Sequence, residues 1–125
     1  MKILVIEPDL VLAQTYIEVL NRAGHSAKSA HTAQDAVYHL DQIIPDLIII
    51  EIQMANHNGV EFLYELRSYP EWQTIPVIVH SFVPKRLVQS QLTSRQLGIK
   101  ACLYKPSTTL QQLVAAVSRN QSVFA

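Results

Sequence analysis

The stretch PDLIIIEIQMANHNGVEFL, residues 45–63, decides how the rest of the chain is read. Leu47 to Ile50 is apolar on four consecutive positions, the pattern of a strand covered on both faces. A carboxylate, Glu51, follows at once. A polar loop then runs to Gly59, and from about Val60 to Ser68 the spacing predicts a helix that buries Leu63 and Leu66. Strand, acid, loop and helix in that order form half of a βαβ unit, so the flanking sequence should repeat the arrangement.

It does. Ile3–Ile6 is continuously apolar, as is Val77–Val79 in a strand that runs to His80, Ala101–Leu103 is a shorter run, and Ser26–Ala30 is small and polar enough for a sheet edge. Helical stretches fill the gaps. Ala13, Tyr16, Ile17, Leu20 and Ala23 make one apolar face, with Gly24 placed to stop the helix. Thr32 suits the N-cap of a second helix that runs to about Asp41, with Pro45 beyond it. A fourth helix, polar and thinly patterned, is predicted from Pro84 toward Leu97 and Gly98. The fifth follows Pro106, with Leu110, Leu113, Val114 and Val117 inward. Five strands alternating with five helices predict an α/β fold, an open, doubly wound parallel sheet of the flavodoxin-like kind.

Composition bounds the function. The chain has 125 residues, enough for one domain, and we expect that domain over residues 1–120 with a tail at 121–125. Ten basic residues balance ten acidic ones, which removes the electrostatic case for nucleic acid or an anionic membrane. The single cysteine, Cys102, has no partner for an internal disulfide and no zinc spacing, and it fits a reducing compartment. The apolar opening MKILVI is broken by Glu7, Pro8 and Asp9, too soon for a signal peptide or a membrane span, so a cytoplasmic location is expected.

Ligands of doubly wound sheets gather at the carboxyl ends of the strands. Here that rim collects Glu7, Pro8 and Asp9; Glu51, Ile52 and Gln53; Ser81 and Phe82; and Tyr104, Lys105 and Pro106. Two carboxylates, a hydroxyl and a lysine converge.

With these residues in place, the chain resembles the receiver domains of two-component response regulators over essentially its whole length. ILVIEPD resembles the first strand and acidic turn, PDLIIIEIQMANHNGVEFL the phosphoacceptor strand and third helix, IPVIVHSF the fourth strand with its switch hydroxyl, and GIKACLYKP the fifth strand with its lysine-proline. The resemblance implies the strand order 2-1-3-4-5. It also implies a chemistry in which an aspartate takes a phosphoryl group with Mg²⁺ as bridge and a lysine and hydroxyl stabilising charge. Carried over by position, the phosphoacceptor falls on Glu51, the acidic turn on Glu7 and Pro8, the magnesium-ligating carbonyl on Gln53, the switch hydroxyl on Ser81, the lysine on Lys105 and the switch aromatic on Cys102.

Four of these positions depart from the pattern. Pro8 has no side-chain oxygen to give magnesium, and neighbouring Asp9 suits the start of the first helix instead. Glu51 is one methylene longer than aspartate, a displacement of ~1 Å that can cost on the order of a hundredfold where catalysis is positioning. Its reach would let it pair with Lys105 and hydrogen-bond Ser81, either as a standing imitation of the phosphorylated state or as a structural ion pair. Phe82 stands where receivers usually keep a small residue and is placed to gate the pocket. Cys102 removes the aromatic ring whose position reports the switch.

The expectation is therefore an atypical, degenerate receiver: a non-enzymatic signalling or scaffold module, independent of phosphorylation, that binds protein partners. It needs no metal and no cofactor. The fourth helix, fifth strand and fifth helix, with Lys85, Arg86 and Arg95, are the expected docking face, with a homodimer among the possible assemblies. Three alternatives stand beside it: an inefficiently phosphorylated receiver, a ligand-binding one, and the receiver part of a larger transcriptional regulator. A nucleotide or flavin is disfavoured by only three glycines and no Gly-rich loop. His25, His31, His39, His57 and His80 lack ligand spacing and are expected at the surface or in packing, His80 beside the pocket. Cys102 is expected as a buried small hydrophobe, and Trp72 as a cap on the core edge.

Overall fold

A computed structural model describes residues 1–54, 58–91 and 97–121. The elements are β1 (Lys2–Ile6), α1 (Leu10–Arg22), β2 (Ser26–Ala30), α2 (Ala33–Gln42), β3 (Leu47–Ile50), α3 (Gly59–Ser68), β4 (Val77–Ser81), α4 (Lys85–Gln91), β5 (Ile99–Tyr104) and α5 (Leu110–Arg119). Short 3₁₀ turns occupy Pro70–Trp72 and Lys105–Ser107. All strand pairs are parallel and the sheet order is β2-β1-β3-β4-β5. Ser26–Ala30 lies at an edge, as its small residues predict.

The continuous apolar runs have two jobs. Alternate side chains of Leu4, Ile6, Ile48, Ile50, Val77 and Val79 pack with Leu40, Phe62, Leu63, Leu66 and Val88, from α2, α3 and α4. Ile3, Val5, Leu47, Ile49 and Ile78 pack on the other side with Tyr16, Leu20, Leu113, Ala116 and Val117, from α1 and α5. Both faces of the sheet are dry, so every position of β3 is buried, and each such side chain contributes roughly 1.5–3 kcal/mol of transfer free energy.

Caps fix where the helices begin. Asp9 accepts from the Leu12 N–H at 2.9 Å, Thr32 from Asp35 at 3.0 Å and Asn58 from Val60 at 2.8 Å. Thr109 and Gln112 form a reciprocal capping box. Gly24, at φ +95°, turns the chain out of α1. A Cβ on Gly59 would lie 2.4 Å from the Ile52 Cα, so the start of α3 presses on the segment after Glu51 at a distance only glycine permits.

Some expectations are corrected. Leu110 is exposed at the mouth of α5, where the capping box turns the chain, and Ala116 takes the inward place. Ala23 is exposed as the C-cap of α1. A 3₁₀ turn separates β5 from α5, and β5 extends further in both directions than its apolar centre suggests, with a register irregularity opposite Val77–Ile78. Trp72 is buried in its own 3₁₀ turn. The end of the predicted fourth helix, Arg95, His57 and the last four residues of the tail lie outside the described residues.

Candidate functional site

The carboxyl ends of β1, β3, β4 and β5 bring Glu7, Glu51, Ser81 and Lys105 into one buried cluster, each no more than 8% exposed. Strand pairing sets their positions: the Glu7 N–H donates to the Ala30 carbonyl and the Glu51 N–H to the Ile6 carbonyl, both at 2.9 Å. The acids therefore sit side by side at the ends of adjacent strands.

Glu51 is fully engaged. Its Oε1 accepts from Lys105 Nζ at 2.9 Å and from the Phe82 N–H at 3.0 Å. Its Oε2 accepts from the Ser81 hydroxyl and from the Gln53 N–H at 3.0 Å. Burial pushes its pKa up, but the bonds from Ser81, Gln53, Lys105 and Phe82 together outweigh burial and hold it below the usual carboxylate value. The Ser81 oxygen also accepts from the Val83 N–H at 3.0 Å, so the loop leaving β4 is tied to the same carboxylate.

Lys105 bridges both acids. It pairs with Glu7 Oε1 as well as with Glu51, and its Nζ lies 4.7 Å from the centroid of the Phe82 ring. An ammonium has three N–H donors; two carboxylates and one aromatic face account for them. Glu7 Oε2 accepts from the Asp9 N–H at 3.1 Å. Half of the Phe82 surface remains exposed, so one face of the ring covers the lysine and the other meets solvent.

On the α1 side of the sheet, His80 is buried edge-on against Tyr16, ring centroids 4.9 Å apart. Burial and the nearby Lys105 charge lower the His80 pKa to about 4, opposed by Glu51. Burial, Glu7, Glu51 and Asp9 raise that of Tyr16 to about 12. Cys102 is half-buried in β5 against the core, and burial raises its thiol pKa despite Lys85.

The expected rim residues are thus together, with Pro8 half-buried beside them and the Gln53 side chain exposed. Three participants had no signal in the sequence: the backbone N–H groups of Asp9, Gln53 and Phe82, which any residue type would supply. Tyr16 had one, its place on the inward face of α1.

These residues do not fit a magnesium ion. Magnesium takes near-octahedral oxygen ligation at about 2.1 Å. Pro8 supplies no side-chain oxygen, Asp9 caps α1, and both acids already hold Lys105. Among the described residues no group of three or more His, Cys, Asp or Glu side chains is arranged for a metal.

Comparison with known proteins gives a consistent result. The family described as "Response regulator receiver domain" matches residues 3–118. A protein-glutamate methylesterase/protein-glutamine glutaminase of Oleidesulfovibrio alaskensis is 23% identical over 116 residues, covering 90% of this chain and 32% of that protein. The chain thus spans about a third of this relative. A sensor protein from Polaromonas superposes with a TM-score of 0.86 at 20% identity, covering 95% of this chain and 94% of that one. The chemotaxis protein CheY4 of Vibrio cholerae gives 0.85 at 19% identity, over 96% and 98%. At these identities the structural likeness speaks for the fold alone.

Proposed function

Because the chain belongs to the response regulator receiver domain family of two-component signalling, we propose that it is a receiver that signals by protein contact without phosphorylation of its acidic centre. The observation that carries this reading is the saturation of Glu51. Four donors surround its two oxygens. A nucleophilic carboxylate must present a free lone pair to the incoming phosphorus, and each oxygen here would first have to break bonds within the buried cluster.

In this reading Glu51 supplies permanently what a receiver otherwise acquires by modification: an anion that draws in the lysine and the β4 hydroxyl. The bonds from Ser81 and Phe82, and from Val83 to Ser81, hold the β4–α4 connection in one arrangement. The module is non-enzymatic and cytoplasmic, comprises residues 1–120 and uses no cofactor. It presents α4, β5 and α5 to protein partners, a second copy of the chain among them. Exposed Leu87 and Phe82 at the head of that face support the assignment.

Fluorine NMR with beryllium fluoride and MgCl₂ tests this. The expected spectrum has no protein-bound resonance. A bound resonance that disappears in Glu51→Gln contradicts the proposal, because it requires a carboxylate oxygen open to a phosphoryl analogue.

A further inference from the structure

We infer that the face formed by α4, β5 and α5 selects an acidic protein segment and opposes the face-to-face pairing of two copies of this chain. This rests on the reading above that the face docks proteins, and it names the chemistry of the partner.

A neutral total hides a division of charge along the chain. All ten acidic residues fall between Glu7 and Glu71, with only four basic ones, Lys2, Arg22, Lys28 and Arg67, in that part. From Trp72 onward there are six basic residues, Lys85, Arg86, Arg95, Lys100, Lys105 and Arg119, and no acidic one. The fold turns this division into a surface, because α4, β5 and α5 all come from the second part. Lys105 is spent on the buried centre. Lys85 and Arg86 on α4, Lys100 on β5 and Arg119 on α5 are exposed, and among the described residues none of these side chains meets a carboxylate. Lys85 is close enough to act on the Cys102 thiol, which sets it near β5. Arg119 lines a groove between β5 and α5 together with Leu103, Thr108, Gln112 and Ala115.

An isologous contact sets each residue of a face against a copy of that same face. With cations alone on α4, β5 and α5, like charge meets like, which opposes such a contact. A second copy can reach this face only with its acidic side. Two features favour a protein segment over a nucleic acid. Phe82 just before α4, Leu87 on α4 and Leu110 at the start of α5 are exposed beside the cations, and apolar side chains find their match in a peptide rather than in a phosphate backbone. The remaining surface carries the acids, so a polyanion longer than the face is repelled beyond it.

The experiment is selection of peptides from a random display library on the immobilised chain, followed by amide NMR of the chain with the selected peptides and at rising concentration of the chain alone. The peptides are expected to be enriched in Asp and Glu interspersed with apolar residues and to shift the amides of α4, β5 and α5 saturably. Their binding should weaken in raised salt and fall roughly tenfold in Lys85→Glu/Arg119→Glu. Should that variant lose its fold, Lys85→Gln/Arg119→Gln should show a smaller loss in the same direction. Peptides without acidic enrichment, a library that yields no binder, or shifts centred on other elements overturn the inference. So does an oligonucleotide that shifts the same amides and binds more tightly than the peptides, or a dimer of the chain whose shifts are confined to α4, β5 and α5. Phosphoryl uptake by a chain that selects acidic peptides would sink the proposed function and leave this inference standing; neutral peptides selected on the same face of a chain that takes no phosphoryl group would do the reverse.

Discussion

A single methylene separates glutamate from aspartate, and at position 51 it changes what the carboxylate meets. Both oxygens of Glu51 accept hydrogen bonds, from Lys105, Ser81 and two backbone amides, and in the proposed reading this holds charge that would otherwise attack an electrophile. His80, on the other side of the sheet, gives this scale its clearest pH signature. Tyr16 packs on it, and Lys105 and Glu51 are the charges that act on it. Its pKa is about 4 in the folded chain against 6.5 when exposed, so between these values the unfolded chain binds more protons. Stability is then full above pH 6.5 and falls as the pH drops toward 4, with a slope of up to ~1.4 kcal/mol per pH unit. Glu51, with its pKa lowered, adds its own loss only below its unfolded value of 4.5. Urea midpoints measured across this range should fall with pH in the wild type. In His80→Phe, which keeps an aromatic ring against Tyr16, the fall between 6.5 and 4.5 should be smaller, leaving the part due to His25, whose pKa burial and the N-terminal ammonium also lower; an unchanged slope would remove His80 from the account.

Between elements, Arg67 ties several parts of the fold together. It lies at the end of α3 and donates to the carbonyls of Leu97 at 2.9 Å, Trp72 at 2.8 Å and Ile75 at 2.6 Å. One guanidinium thus joins α3, the 3₁₀ turn, the entrance to β4 and the segment before β5. Gly98 fits beside it at φ +65°, where an added Cβ would lie 2.7 Å from a guanidinium nitrogen. Arg67→Ala leaves carbonyls without donors, and we expect a loss of about 2–3 kcal/mol. Amide exchange should also accelerate at Val77, whose N–H donates to the Gly98 carbonyl at 3.3 Å. Exchange at Val77 equal to wild type would show that the junction holds without the arginine. Lysine is a poor substitute, since the three carbonyls are met by three different nitrogens of the guanidinium fork.

For the molecule as a whole, the sheet was legible because Ile3–Ile6, Leu47–Ile50 and Val77–Val79 are apolar on consecutive positions, the pattern of strands covered on both faces. The rim was legible because strand ends fall at fixed places in such a sheet, which brings Glu7, Glu51, Ser81 and Lys105 together without further information. What escaped has a physical reason in each case. Backbone donors carry no residue-type signal, so the amides that finish the Glu51 shell were invisible. Arg67 carries no signal of its own in the sequence, since its partners are backbone carbonyls scattered over Trp72, Ile75 and Leu97. Leu110 was assigned inward by spacing alone, whereas the capping box at Thr109 and Gln112 sets the phase of α5 and turns that side chain out. The family's motif positions are retained, and donors bond both oxygens of Glu51, which is the ground of the proposal that this chain signals without phosphorylation.

The claim that the centre is held closed by its own residues is tested most directly by intact-mass measurement after incubation with acetyl phosphate and MgCl₂, with a Pro8→Asp/Glu51→Asp variant alongside. The account predicts no phosphoryl adduct on the wild type and the appearance of one on the double variant. A labile adduct on the wild type that is absent from Glu51→Gln would contradict it.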